Sequence, residues 1–329
     1  MFAMKRILVT GGGGYIGSVV TRQLLDRGYE VSVFDNFERG HRAFVDRRAA
    51  LFEGDLRNRD DIRRACASVR PEAVLHFAAY ALVGESMSNP LMYFDNNVTG
   101  GFNLLAEMDA VACRRIIFSS SCATYGIPAT LPIGEDSPQR PTNPYGQSKL
   151  MFEQMCAWLA ESKGLMPTFL RYFNAAGAVP EWELGEDHEP ETHIIPNVLK
   201  VALGRCAAVP VFGGDYPTPD GTCIRDYVHV KDLCSAHLLA LERNAIGAYN
   251  LGTGRGLSVL EIVDACRRVT GHPIPVDIRP RRLGDPPSLY ASGEKARRDM
   301  GWNPQFSDVE TIVRDAWDFH SSHPEGVET

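Results

Sequence analysis

Short, wholly apolar runs alternate with helical patterns along the first half of the chain. The runs predict strands at Lys5–Thr10, Glu30–Phe34, Leu51–Glu53, Ala73–Phe77, Arg115–Phe118 and Thr168–Tyr172. Between them, the spacing of apolar positions predicts helices at Tyr15–Arg27 and Asp60–Val69, a long one from Leu91 to Ala112, and another at Tyr145–Ser162. A strand that is apolar at every position buries both faces, so strands of this kind separated by helices predict a parallel sheet covered on both sides. The expected fold class is therefore α/β, with a doubly wound parallel sheet. After Asn174 the alternation fails. Residues 178–190 are rich in Pro, Gly and Glu, and residues 213–221 form a polar Pro/Gly stretch. A first domain at 1–174 and a second, smaller α/β domain at 175–329 are expected, with a strand near 248–252 returning to the main sheet.

Composition narrows the class. The 329 residues are 44% hydrophobic and 23% charged, an ordinary globular balance. Lys plus Arg is 34 against 41 Asp plus Glu, and the net charge of −7 has no basic block to offset it. Nucleic acid and an anionic membrane are therefore excluded as expected partners. No apolar run reaches transmembrane length, and the start has no charged-then-apolar leader. Met1–Ala3 precede a second methionine, Met4. The eight cysteines lie scattered without a C-x-x-C pair, so they read as reduced thiols of a cytoplasmic protein. Neither a disulfide framework nor a metal site is expected.

The strongest local motif is Thr10-Gly11-Gly12-Gly13-Gly14-Tyr15-Ile16-Gly17, which leaves a predicted strand and enters a predicted helix. Glycines there let the backbone approach a pyrophosphate, and the helix N-terminus offers free N–H groups and a positive dipole end. The bland alternative is a ligand-free Gly-rich turn. Strand before and helix after favour a Rossmann-type dinucleotide site. Asp35, closing the second strand, can accept bonds from both ribose hydroxyls and would repel a 2′-phosphate, which favours NAD over NADP. Arg39 and Arg42 lie close by and oppose that preference.

Tyr145-Gly146-Gln147-Ser148-Lys149 places a phenol and an ammonium on one helical face. A neighbouring Lys⁺ and an oxidised nicotinamide both favour the phenolate, so together they are expected to lower the pKa of Tyr145 toward the working range and make it a base. Alone, such a pair is commonly a surface contact. Here a serine cluster, Ser119-Ser120-Ser121, precedes it and is expected to leave the fifth strand at its C-terminal end, where ligands of open α/β sheets bind.

Together these residues resemble the extended short-chain dehydrogenase/reductases, and more narrowly the UDP-glucose (UDP-galactose) 4-epimerases. The resemblance runs from Lys5 to about Trp302. It includes His76-Phe77-Ala78-Ala79, Asp95-Asn96-Asn97-Val98, Arg171-Tyr172-Phe173-Asn174, Arg225-Asp226-Tyr227-Val228-His229-Val230 and Arg281-Arg282-Leu283-Gly284-Asp285. It implies NAD-dependent 4-epimerisation of a UDP-sugar through a 4-keto intermediate, with Tyr145 as base, Lys149 as its electrostatic partner and ribose contact, and Ser121 beside the sugar. Gly11, Gly14, Tyr15, Ile16, Gly17, Asp35, Asn36, Asp55, Leu56, Phe77, Ala78, Ala79, Asn96 and Phe173 would line the NAD site. Asn174, Arg225, Arg282 and Asp285 would hold the UDP portion, with Phe212 near the uracil and Leu289 beside the sugar. A homodimer through the helices at about 91–112 and 145–162 is also implied.

The chain departs from better-known members of that family in three places. Ala81 stands where some carry a lysine near the cofactor, His193-Ile194 where many have asparagine-leucine, and Leu289 where a tyrosine is frequent. UDP-glucose/UDP-galactose leads as substrate, with UDP-N-acetylglucosamine, UDP-xylose/arabinose and UDP-glucuronate as competitors. A nucleotide-sugar dehydratase is disfavoured because Cys122 and Ala123 follow the hydroxyl residue where those enzymes carry an acid. A reductase with exchangeable cofactor is disfavoured by the Arg-bearing second half, and a non-catalytic nucleotide sensor by the retained Tyr/Lys pair.

Overall fold

The computed structural model describes residues 6–282 and 285–327. Met1–Lys5 and Leu283-Gly284, which entered the sequence reading, lie outside them. Seven strands form one parallel sheet: β1 (Arg6–Thr10), β2 (Glu30–Asp35), β3 (Ala50–Glu53), β4 (Ala73–His76), β5 (Arg115–Ser121), β6 (Met166–Tyr172) and, after four short strands, β11 (Gly247–Leu251). The four between are β7 (Asn174–Ala176), β8 (Val209–Phe212), β9 (Ile224–Arg225) and β10 (Tyr227–His229). The sheet order is β11-β6-β5-β4-β1-β2-β3, so the order reverses between β1 and β4. That reversal creates the crevice in which doubly wound sheets bind their ligands. The doubly wound architecture read from the pattern is the one observed.

The apolar runs are buried on both sides, as the pattern required. Ile7 and Val9 of β1 face a core shared with Val19, Leu24, Leu233 and Leu238, which lie on helices α1 (Tyr15–Asp26) and, later in the chain, α8 (Val230–Glu242). Leu8, between them, faces Ile62, Leu104 and Phe152. These belong to α2 (Arg59–Val69), α5 (Gly100–Ala110) and α6 (Pro144–Lys163).

Two expectations needed correction. The long helix from Leu91 to Ala112 is broken. After α3 (Val83–Ser88), α4 (Pro90–Tyr93) leads into a π-helical turn over Phe94–Thr99 before α5 begins. The serine cluster does not leave β5; Ser119, Ser120 and Ser121 are its last three residues and pair with Leu170, Arg171 and Tyr172. Polar residues are tolerated there because their hydroxyls are bonded, Ser120 Oγ donating to Glu153 Oε1 at 2.5 Å.

The second, smaller unit has its own core. Val198, Val211, Ile262 and Ile312 are fully or nearly fully buried together. They come from α7 (Ile194–Ala202), β8, α9 (Val259–Thr270) and α11 (Val309–Ser322). β12 (Leu257–Ser258), β13 (Val276–Arg279) and β14 (Ser288–Leu289) complete it, whereas α10 (Glu294–Met300) returns to the main core through Ala296 and Met300. Among the described residues no helix is long and apolar enough to cross a membrane.

Candidate active site

The Gly-rich loop fits a dinucleotide for steric reasons. Gly11 has φ +78°, and a Cβ on Gly17 would sit 2.1 Å from the Gly11 carbonyl oxygen, so helix and loop approach more closely than a side chain permits. Gly14, the residue before α1, provides no side-chain cap, which leaves the first N–H groups of the helix available to an anion. Asp35 ends β2 and is buried, accepting from the backbone N–H groups of Gly13 at 2.9 Å and Phe37 at 2.8 Å. Burial raises its pKa, and those bonds oppose the rise.

Further along the same edge, Asn36 Nδ2 donates to Asp55 Oδ2 at 3.0 Å. The Arg57 side chain holds Asp55 as a carboxylate with its pKa lowered to about 2. Arg39 is paired with Glu85 and Arg42 with Glu53. Both guanidinium groups that opposed the NAD preference are therefore engaged. Phe77 and Ala78 donate their N–H groups to the Thr10 carbonyl, tying the ends of β4 and β1 behind the loop. Leu56 is core, Ala79 is half-buried, and Ala81 is exposed. Asn96 donates to Asn97 Oδ1. Tyr15 and Ile16 belong to the first turn of α1, but the Tyr15 ring turns into the core and its hydroxyl donates to Gly177 O at 2.5 Å. Only the backbone of Tyr15 faces the loop.

At the end of β5, three groups converge. Ser121 Oγ accepts from Ala123 N at 3.1 Å, fixing its orientation. Tyr145 lies in the first turn of α6, whose start is set by Pro144 and by Asn143, which accepts from Gly146 N at 2.8 Å. Gly146 is required here: a Cβ would lie 2.4 Å from Ala123 O. One turn on, Lys149 Nζ donates to Ser119 O at 2.7 Å and lies 5.8 Å from the Tyr145 ring centre.

The electrostatics differ from the expectation. Burial pushes the Tyr145 phenol up to about 12, with a hydrogen bond to Ser121 pulling the other way. Burial also pulls Lys149 down to about 7, with Glu153 opposing. Lys149 is tied to a carbonyl and is itself disfavoured as a cation, and burial dominates the phenol.

The second unit brings its own groups to this end. Leu289 of β14 is in register with Arg225 of β9. Leu289 and Cys122 both pack on a small core containing Phe173, Tyr125, Ile133 and Ala291. Burial pushes the Cys122 thiol up and the Arg225 charge opposes it, and Leu289, in register with Arg225, packs on the same small core as the turn after Ser121. Arg225 Nη2 donates to Asp285 Oδ1 at 2.9 Å, and the Arg282 guanidinium lies 4.0 Å from the centre of the Phe212 ring. Asn174 donates its backbone N–H to Asp226 O. Two surface concavities of about 560 and 480 Å³ lie elsewhere, and none of these residues lines them.

Comparison with known proteins identifies the lineage. Residues 7–252 match the model of the NAD dependent epimerase/dehydratase family. The chain belongs to this family. It is 49% identical over 327 residues to a UDP-glucose 4-epimerase of Halalkalibacterium halodurans, covering 98% of each chain. It is 50% identical over 327 residues to one from Streptomyces lividans, with the same coverage. A crystal structure of UDP-glucose 4-epimerase from Bifidobacterium longum in complex with NAD+ and UDP superposes with a TM-score of 0.94 at 38% identity, covering 98% of this chain and 99% of that one.

Several residues to which the sequence assigned no role hold the site together. Glu153 is buried against Arg171, with Nη2 to Oε2 at 2.6 Å, and Arg171 Nη1 donates to Tyr125 Oη at 2.8 Å. Tyr125 in turn donates to Asn250 Oδ1 at 2.7 Å. This polar network ties β5, α6, β6 and β11 together directly behind the serines. The available signal was Glu153 at i+4 from Lys149. Asn97, inside the π-helical turn, accepts from Tyr80 N at 2.9 Å and donates to Ser148 Oγ at 2.9 Å. Ser148 donates to Tyr145 O, so Asn97 helps fix the start of α6.

Proposed function

We propose that the protein is an NAD-dependent UDP-glucose 4-epimerase, interconverting UDP-glucose and UDP-galactose through a 4-keto sugar. The observation that carries this reading is the convergence of Ser121, Tyr145 and Lys149 at the sheet end between a glycine cradle and Arg225. NAD+, when bound, supplies the acceptor that takes the C4 hydride and returns it to the opposite face, and a positive charge beside the phenol. Gly11, Gly14 and Gly17 admit its pyrophosphate, Asp35 its ribose hydroxyls, and Asn36 with Asp55 the adenine end.

Tyr145 removes the proton from the sugar 4-hydroxyl and later gives it back. Ser121, beside the sugar, donates to the Tyr145 oxygen and so favours the phenolate. Lys149 holds the β5 end and a ribose hydroxyl. Arg225 and Arg282 grip the diphosphate, which lets the keto sugar turn over without leaving, while Asn174 and Asp285 orient it. For uracil to use the Phe212 ring, it takes the face opposite Arg282 or displaces that side chain.

Residues 1–174, joined by α8, β11 and α10, form the dinucleotide unit, and most of the remainder of 175–329 forms the sugar-nucleotide unit. A homodimer through α4, α5 and α6 is supported by the exposed Leu91, Phe102 and Trp158 on those helices. Eight unpaired cysteines suit the cytoplasm.

The test is a panel of UDP-sugars incubated with purified enzyme and analysed for the C4 epimer. UDP-glucose is expected to give UDP-galactose without added NAD, because each cycle returns the hydride. Strict dependence on NADP+, or stoichiometric NADH with release of a keto product, would contradict the proposal.

A further inference from the structure

The segment Glu186-Asp187-His188-Glu189-Pro190-Glu191-Thr192-His193 leads into α7 and takes no part in the chemistry above. Four of its side chains converge. One donor atom each from Glu186, His188, Glu191 and His193 lies within 4.8 Å of all the others. His193 Nδ1 is 2.9 Å from Glu186 Oε1 and 2.9 Å from Glu191 Oε1. His188 Nδ1 is 3.5 Å from Glu186 Oε1 and 3.7 Å from Glu191 Oε2. The Glu186 and Glu191 carboxylates are almost wholly buried, with side chains 6% and 3% exposed.

A set of ion pairs is the simplest alternative, and it leaves two features unexplained. His188 Nδ1 is buried without a hydrogen-bond partner, although two carboxylate oxygens sit just beyond bonding distance. His193 Nδ1 has a single proton at most but faces two carboxylates equally. The four nitrogen–oxygen separations, 2.9–3.7 Å, lie around the edge length of a small tetrahedron, which shifts of a few tenths of an ångström would complete. With metal–ligand distances of about 2.0–2.2 Å, its edges are ~3.3–3.6 Å. Two buried carboxylates also need two positive charges; two imidazolium ions would balance them, and so would one divalent cation, which leaves both rings neutral and free to ligate.

We propose that Glu186, His188, Glu191 and His193 form a structural site for a divalent cation of the zinc type. Two imidazoles and two carboxylates are a donor set suited to Zn²⁺, and four protein ligands leave no open position for catalysis. This departs from the metal-free expectation, which rested on the cysteines alone. It also accounts for His193, which stands where relatives carry asparagine: its side chain is turned into this cluster.

The ion would fasten the loop across several parts of the molecule. Asp187 O contacts His41 Nε2 at 3.1 Å, and Glu189 O accepts from Arg39 Nη1 at 3.3 Å, both from the segment after β2. Asp187 Oδ2 accepts from Val327 N at 2.9 Å, near the end of the chain. The site thus joins the cofactor edge, the C-terminal segment and the entry to α7.

The test uses full-length protein without an affinity tag, treated with chelator and then dialysed against Zn²⁺ alone. Metal per chain is measured after gel filtration, and X-ray absorption reports the ligands. The expected result is about one Zn²⁺ per chain, a first shell of nitrogen and oxygen, and a thermal midpoint that rises with Zn²⁺. The His188→Gln/His193→Gln variant is expected to lose the ion while keeping its NAD content. Wild-type protein that retains no zinc overturns the proposal, as does a sulfur-ligated ion, which would implicate the exposed Cys206. If the variant does not fold, wild-type stoichiometry and ligand type decide alone.

Discussion

Lys149 Nζ donates to the carbonyl oxygen of Ser119 at 2.7 Å, so the helix that carries Tyr145 is fastened to the strand that ends in Ser121. The lysine acts here as a clamp between the elements that carry Ser121 and Tyr145. The phenol, raised to about 12 by burial, stays protonated at neutral pH until a bound positive charge favours its ionised form.

Tyr145→Phe removes only the ionisable oxygen. Its kcat is expected to fall by about 10²–10⁴-fold, the usual worth of a positioned acid–base group. NAD content and the melting midpoint are expected to stay near wild type. Near-normal turnover by this variant, measured with UDP-galactose, would remove Tyr145 from the mechanism.

Ser121→Ala should move the pH profile. The base is the phenolate, present above the tyrosine pKa, so kcat rises with pH until that group is ionised in the complex. The Ser121 bond lowers the pKa, so deleting it raises the pKa and carries the ascending limb to higher pH. At a fixed pH on that limb, the rate falls about tenfold for every pH unit by which the limb moves. A profile that falls in height without moving would assign Ser121 to substrate binding alone.

The Glu153–Arg171 pair is buried on both sides, with side chains 5% and 6% exposed. Arg171→Met strands a carboxylate in the core and is expected to cost about 3–5 kcal/mol. Glu153→Leu/Arg171→Met, which removes both charges, should cost less than the sum of the single changes. Denaturant unfolding of the NAD-saturated proteins measures the cycle, and simple additivity would show the two groups to be uncoupled.

The parts of the site legible in the sequence are those whose partners are neighbours in the chain. Gly11 to Gly17 lie in one turn, and Tyr145 and Lys149 are one helical turn apart. The Glu153–Arg171–Tyr125–Asn250 network draws one residue from each of four segments, so no local pattern announces it. Ser119–Ser121 read as leaving the fifth strand after Phe118, because hydroxyls look unsatisfiable in a buried strand. The partner that corrects this, Glu153, comes from a helix more than thirty residues on. The π-helical turn at Phe94–Thr99 is invisible to periodicity because apolar spacing runs on through it, and only the bonds of Asn97 reveal its use. The segment from Glu186 to His193 looked like a polar loop, its inward-facing side chains being a property of the fold.

Leu289 is in register with Arg225 and packs on the small core that includes Phe173, beside Cys122. Cys122 directly follows Ser121, which places Leu289 close to the sugar in the proposed reaction. A leucine in place of a tyrosine removes a ring and a hydroxyl, and the volume so freed admits an N-acetyl group at C2 if it faces the sugar and Tyr290 does not refill it. Selectivity from such space is modest, because one methylene in an apolar pocket is worth only ~1–3 kcal/mol. Relaxed choice is therefore expected: UDP-N-acetylglucosamine is epimerised alongside UDP-glucose. Leu289→Tyr should depress the N-acetyl reaction by about 10–100-fold in kcat/KM and largely spare the other. Parallel assays of both substrates decide the point. Equal loss of the two activities would mean that Leu289 supports the Phe173 core and does not gate the sugar.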